Sequence, residues 1–255
     1  MVYITGDKHR NYQSVEDFCQ VHHTTKDDIM IVLGDNGINW FGGERDKPVK
    51  ERLQSLPITF FLIRGNHDMR PDRDNYRIKW VKVGANLEGW FRVEPEYPDL
   101  LFAVDGGIYK INGIYCAAIG GAYSVDKQYR LQLQELGYDN YKWFADEQLN
   151  KKERDNIEQY LSLYEDSQPI EVFLTHTCPL RYKPWDMLPS HIPDKNVDET
   201  MEKWFDEIYD MFPSHKAWYC GHWHIERKID RMRFMFHDIE EFLPEFSDIN
   251  KRAAR

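Results

Sequence analysis

The chain has 255 residues, 42% of them hydrophobic and 15% aromatic, enough to bury a core at the upper end of single-domain size, so one domain over 1–255 is expected. Its formal charge of −10 excludes a general attraction to nucleic acid or to an anionic membrane, so any phosphate recognition must be local. No run approaches the roughly 18 apolar residues of a membrane span, the N-terminal MVYITGDKH carries no secretory pattern, and Cys19, Cys116, Cys178 and Cys220 show no CxxC spacing, which together point to free thiols and a cytoplasmic location.

Short apolar runs alternate with helix-like stretches, the pattern of an α/β fold. Val2–Thr5 reads as a strand, Ser14–His23 as a short helix capped at Ser14, and Ile29–Leu33 as a second strand. Lys47–Leu56 reads as a helix and Ile58–Ile63 as a strand. Ile108–Ile111 and Ile114–Ile119 flank Asn112-Gly113, a hairpin turn signal. Ala145–Tyr164 and Val197–Met211 read as amphipathic helices, Val172–Thr175 and Ala217–Cys220 as strands. Ile225–Ile229 and Met232–Phe236 form an expected last hairpin around Asp230-Arg231. Two aperiodic loops, 36–47 and 177–195, are long enough to invite a functional reading.

Five of these strands are each followed within three residues by metal-ligating types. The five turns are Gly6-Asp7-Lys8-His9, Gly34-Asp35-Asn36, Arg64-Gly65-Asn66-His67-Asp68, His176, and Gly221-His222-Trp223-His224. Each alone has a bland reading: an Asp after a strand caps a helix, GNHD makes a polar turn, and a lone His sits satisfied in a core. In open α/β sheets, however, ligands bind beyond the carboxyl ends of strands. If these strands are parallel neighbours, all five turns share one crevice.

The ordered series Asp-x-His, Gly-Asp, Gly-Asn-His-Asp, His, Gly-His-x-His resembles the calcineurin-like metallophosphoesterase superfamily, including its small bacterial and phage members, and runs from Asp7 to His224. The resemblance implies an α/β/β/α sandwich of four layers with two mixed sheets. It also implies two divalent ions: Asp7, His9, Asp35 and His224 around the first, and Asp35, Asn66, His176 and His222 around the second, Asp35 bridging. His67 would act near the leaving group, with Asp68 orienting it. Carboxylate with imidazole suits Mn²⁺, Fe²⁺/Fe³⁺ or Zn²⁺ better than Ca²⁺ or Mg²⁺. Two divalent ions against Asp7, Asp35 and a bridging hydroxide leave about one positive charge, which draws an anionic phosphate into an acidic protein.

The series departs from the family in places. Arg10 stands where Gly is usual; it can contact substrate phosphate or be a solvated loop charge. The segment after Asp35 lacks the arginine of the protein-phosphatase branch, while Leu62–Asp68 resembles that branch's LRGNHE. Arg64 can hold phosphate, although pairing with a carboxylate is favoured. Gly120-Gly121-Ala122-Tyr123-Ser124 resembles a segment of small family members and can approach the crevice. Trp40 and Phe41 are core or pocket wall, and Arg181, Lys183 and Trp185 are lid candidates. His22, His23, His191, His215 and His237 match no motif.

The expected activity is hydrolysis of a small or nucleotide-like phosphodiester; a phosphomonoesterase like the serine/threonine phosphatases is the alternative. A rival of another class is a binding protein that kept the fold and lost the chemistry, although every ligand position is filled. The partner expected is a small phosphorylated substrate, with no general nucleic-acid or membrane binding and the oligomeric state left open.

Overall fold

The sandwich is built from the period of two along each strand. A computed structural model describes residues 1–72, 75–187 and 197–242. Strands β1 (Val2–Thr5), β2 (Ile29–Leu33), β3 (Thr59–Ile63), β4 (Arg77–Val83), β5 (Leu87–Val93) and β6 (Leu100–Ala103) come from the first half of the chain. They are followed by β7 (Gly107–Ile111), β8 (Ile114–Ile119), β9 (Val172–Thr175), β10 (Ala217–Cys220), β11 (Arg227–Ile229), β12 (Met232–Phe234) and β13 (Ile239–Glu241). The helices are α1 (Gln13–His22), α2 (Lys47–Ser55), α3 (Lys127–Glu135), α4 (Lys151–Glu165) and α5 (Thr200–Met211).

Alternate residues of β2 separate cleanly. Ile29, Ile31 and Leu33 join the central cluster, whereas Met30 and Val32 face the cluster that contains Val15 and Cys19 of α1 and Val49 and Leu53 of α2. β9 does the same on the other side. Val172 and Leu174 point to the central cluster, and Phe173 points to the cluster with Ile157 and Leu161 of α4 and Trp204, Phe205 and Ile208 of α5. Four layers result, helices outside and strands within.

Two separate sheets were expected. Among the described residues, thirteen strands instead form one hydrogen-bonded sheet in the order β11-β12-β10-β9-β8-β7-β5-β6-β3-β2-β1-β13, with β4 on β5. β5 bonds antiparallel to both β6 and β7, and that joins the halves. β1, β2, β3 and β6 are parallel in one half; β8, β9, β10 and β12 are parallel in the other. The five motif strands are therefore three neighbours in one half and two in the other, and the halves meet face to face through the central cluster.

Several helix starts differ from expectation for local reasons. α4 begins at Lys151 because Asn150 closes a capping box with Glu153: Asn150 Oδ1 accepts from Glu153 N at 3.1 Å, and the Glu153 carboxylate accepts from Asn150 N at 2.7 Å. α1 starts at Gln13 with no side-chain cap, so Ser14 lies inside the helix. α5 begins at Thr200. Residues 188–195 of the second long loop, including His191, lie outside the described residues.

Candidate metal centre

The turns leaving β1, β2, β3, β9 and β10 converge, and the backbone is strained where they do. His9, Arg10, Asp35, His222 and His224 all have positive φ, between 40° and 69°. A left-handed non-glycine residue costs about 1–3 kcal/mol and persists where the surroundings over-determine it. Glycine is required at the closest approaches between the halves. A Cβ on Gly34 (φ 94°) would sit 2.0 Å from His176 Nδ1, and one on Gly221 would sit 2.2 Å from Asp7 Oδ1.

The structure brings the seven ligand candidates together in two overlapping groups. In the first, His9 Nε2 and His224 Nε2 are 3.0 Å apart, His224 Nε2 is 3.0 Å from Asp7 Oδ2, and His9 Nδ1 is 4.0 Å from Asp35 Oδ2. In the second, Asn66 Oδ1 lies 2.8 Å from His176 Nε2 and 3.1 Å from His222 Nδ1, and His176 Nε2 lies 3.5 Å from Asp35 Oδ1. Donor atoms of Asp7, His9 and His224, and of Asp7, Asp35 and His176, lie within 4.8 Å of one another. Asp35 touches both groups.

Neighbouring groups hold these donors in ligating orientations. His176 Nδ1 donates to Leu33 O at 2.8 Å, which turns Nε2 toward Asn66 Oδ1. Asn66 is turned oxygen-inward because its Nδ2 donates to Ser124 Oγ at 2.8 Å, and Ser124 Oγ donates to the Glu147 carboxylate. His176 Nε2 and Asn66 Oδ1 thus face each other across 2.8 Å in a fully buried position. The clustered Asp, His and Asn donors fit a divalent cation.

The electrostatics agree. Burial alone would raise Asp7 and Asp35, yet both sit below the usual carboxylate range. The His224 hydrogen bond and the field of His176 outweigh burial at Asp7; His67, His176 and His9 outweigh it at Asp35. Burial and His176 press His222 down to about 3, so it is neutral near pH 7. His224 is raised by its hydrogen bond to Asp7.

The expected catalytic pair is arranged differently. The Asp68 carboxylate accepts from the amides of Gly65 (2.9 Å), Asn36 (3.1 Å) and Gly37 (2.8 Å), so it clamps the β2 and β3 turns together and does not bond to the His67 ring. Burial and the Asp35 charge push Asp68 up to about 7. His67 Nε2 lies 3.8 Å from Asp35 Oδ2 and 3.2 Å from Arg130 Nη2. Burial lowers the His67 pKa, and Arg130 lowers it further. Trp40 makes an aromatic wall, its ring 5.8 Å from His67 and 6.5 Å from His9.

Both arginines expected near phosphate are engaged elsewhere. Arg10 Nη1 bonds Asp46 Oδ1 at 2.7 Å and Gly37 O at 3.0 Å. Arg64 is buried, donating to Glu147 O at 2.8 Å and reaching Asp105 Oδ2 at 3.4 Å. Arg181 pairs with Asp206 and Asp210, and Lys183 with Glu199. Arg130 was missed altogether. Its only sequence signal was its place just beyond the Gly120–Ser124 segment, which does reach the site through Ser124.

The sequence profile of calcineurin-like phosphoesterases matches residues 1–226. The chain belongs to the calcineurin-like phosphoesterase family. It is therefore a phosphate-ester hydrolase of a metal-dependent family, in which the Asp and His clusters offer places for metal. Among solved structures, the phosphopantetheinyl hydrolase of Mycobacterium tuberculosis is 14% identical with a TM-score of 0.46, covering 92% of this chain and 87% of that one. A Staphylococcus aureus chain named for a proposed 5′-nucleotidase activity is 11% identical with a TM-score of 0.42, covering 92% of this chain and 48% of its own. No curated protein matches the sequence. No helix among the described residues is long and apolar enough to cross a membrane.

Proposed function

We propose that this phosphoesterase hydrolyses small phosphate esters with a pair of divalent ions, Mn²⁺, Fe or Zn²⁺. Asp7, His9, Asp35 and His224 would hold one ion; Asp35, Asn66, His176 and His222 would hold the other. The observation that carries the reading is the convergence of His176 Nε2 and Asn66 Oδ1 at 2.8 Å, with their outer atoms held by Leu33 O on one side and Ser124 on the other. When bound, the ions supply an activated water and neutralise charge developing on the phosphoryl oxygens.

The protein's own groups do the rest. Asp35 reaches both donor sets, and the amide of His67 donates to its Oδ1 at 2.9 Å, fixing its carboxylate between them. His67 is largely buried with its ring edge reaching solvent, where it can hydrogen-bond a departing oxygen. Trp40 offers a flat face to an aryl or base leaving group. The burial of four free cysteines supports a cytoplasmic location as part of the same reading.

A second reading, preference for a diester, is supported by the engagement of Arg10 with Asp46 and of Arg64 with Glu147 and Asp105, which removes two cations from the pocket. The deciding experiment is a panel of phosphate mono- and diesters run on chelator-stripped protein with and without Mn²⁺. Metal-dependent turnover is expected, and its absence across the panel refutes the reading.

A further inference from the structure

We propose that Arg130 is the cation that receives the terminal oxygens of a phosphate monoester at this centre, and that it sets the balance between monoesters and diesters. The inference rests on the phosphoesterase reading above.

Arg130 lies on α3 and is only 7% exposed. Three contacts fix its guanidinium. Nε bonds Asp126 Oδ2 at 2.7 Å one turn earlier, Nη1 donates to Lys142 O at 3.2 Å, and Nη2 reaches His67 Nε2 at 3.2 Å. Its Cζ is 5.5 Å from the Trp40 ring. The support is itself anchored to the loop after β2: Trp40 Nε1 donates to Asn140 O at 3.0 Å, and Arg45 bonds Asp139 at 2.7 Å and Asn140 at 2.6 Å. A rigid frame thus aims one guanidinium nitrogen at the imidazole beside Asp35.

Loop bracing alone does not account for this placement. Trp40 and Arg45 already brace the segment at 139 and 140, and Arg130 adds one bond to it at Lys142 O, which leaves Nη2 turned toward His67. Arg130 Nη2 meets only an imidazole nitrogen there, a weaker partner for a guanidinium than an anionic oxygen. In the metal-free centre the Asp35 charge compensates it from across His67. Once Asp7 and Asp35 are neutralised by cations, Arg130 carries a charge aimed at the centre that its half-exposed partner Asp126 balances only in part. A dianionic monoester satisfies that charge better than a monoanionic diester, and the guanidinium fork matches phosphoryl oxygens. With Arg10 and Arg64 engaged elsewhere, the pocket's phosphate-side cation comes from α3 and not from the β2 turn.

The test uses the full chain loaded with Mn²⁺, as wild type, Arg130→Gln and Arg130→Lys. Gln keeps a donor toward His67 without charge; Lys keeps charge without the fork. Calorimetric titration with inorganic phosphate should show affinity falling about 10- to 100-fold in Arg130→Gln, the weight of a charged hydrogen bond, and less in Arg130→Lys. In the same variant kcat/KM for para-nitrophenyl phosphate should fall by a similar factor, while that for bis-para-nitrophenyl phosphate stays within about threefold. Equal losses on both esters, or unchanged phosphate affinity, overturn the proposal. If Arg130→Gln does not fold, a loss in Arg130→Lys confined to phosphate and the monoester supports it, and a uniform loss overturns it. If wild type hydrolyses neither ester, the phosphoesterase reading falls, while the phosphate titration still decides the role of Arg130.

Discussion

His9 and His224 point their Nε2 atoms at each other across 3.0 Å, and Asp7 Oδ2 lies 3.0 Å from the same atom of His224. The two rings come from opposite halves of the sheet, on residues with φ of 43° and 52°. A strained backbone that brings two imidazole nitrogens and a carboxylate to one point is expected where a cation completes the contact.

Metal analysis of the reconstituted chain should therefore find about two transition-metal ions. Asp35→Asn should lower occupancy of both sites together, because Asp35 touches both donor groups. Two ions and full turnover in that variant would remove Asp35 from its bridging place.

Ser124→Ala tests the orientation of Asn66. Without the Ser124 hydroxyl the Asn66 amide is free to turn, and metal affinity should drop by about 10- to 100-fold, the usual weight of a group that orients a ligand. The loss should fall on the set with His176 and His222, leaving the His9 and His224 set intact. Stepwise Mn²⁺ titration separates the two.

His67→Ala should lower kcat by about 10²–10⁴ while both ions stay bound. The loss should shrink for a nitrophenyl ester, whose leaving oxygen needs little protonation. An equal loss for alkyl and nitrophenyl esters would remove His67 from leaving-group chemistry.

Stability should carry the mark of Glu202. Burial pushes this carboxyl from 4.5 up to about 7, with one oxygen accepting from Thr177 Oγ1 at 2.7 Å and the other unpartnered. Because its pKa is higher in the folded chain, its contribution is complete below about pH 4.5 and is lost as pH rises through about 7. His222, pressed down to about 3, acts in the opposite sense, so the contribution of Glu202 is read as a difference: across that window the chelated wild type should lose melting temperature relative to Glu202→Gln as pH rises. Asp68, also raised to about 7, acts in the same sense as Glu202 in both proteins. An unchanged pH profile in the variant would show that Glu202 is not the group involved.

The strand ends were legible because β1, β2, β9 and β10 are short apolar runs that end on Gly or on the ligand itself, and their observed bounds match the runs read from the sequence. β4 escaped because Arg77, Lys79 and Lys82 interrupt its apolar residues; it is an edge strand, largely exposed. α3 escaped for a related reason. Its one buried side chain is Arg130, so it has no apolar stripe for a helical period to reveal. The sequence places Asp68 beside His67, but only the folded turn shows that its carboxylate reaches back onto the amides at 36, 37 and 65. Which arginine faces the centre depends on the pairing of segments 40–45 and 139–142, a tertiary contact with no local pattern.

The amide of His222 donates to both oxygens of Asp7 across 215 positions of sequence. On the ribosome, at about 5–20 residues per second, Asp7 emerges tens of seconds before its partner exists. Until the strand before His222 adds to the growing edge, the chain displays Asp7, His9 and Asp35 without the His222 and His224 pair opposite them, and before β9 is made it lacks His176 as well. A nascent chain can take up metal only weakly at that stage, so hydrolytic competence should arrive only once β10 and the turn after it have been made. Chains stalled before that strand should accumulate in a form that captures metal poorly and cleaves nothing.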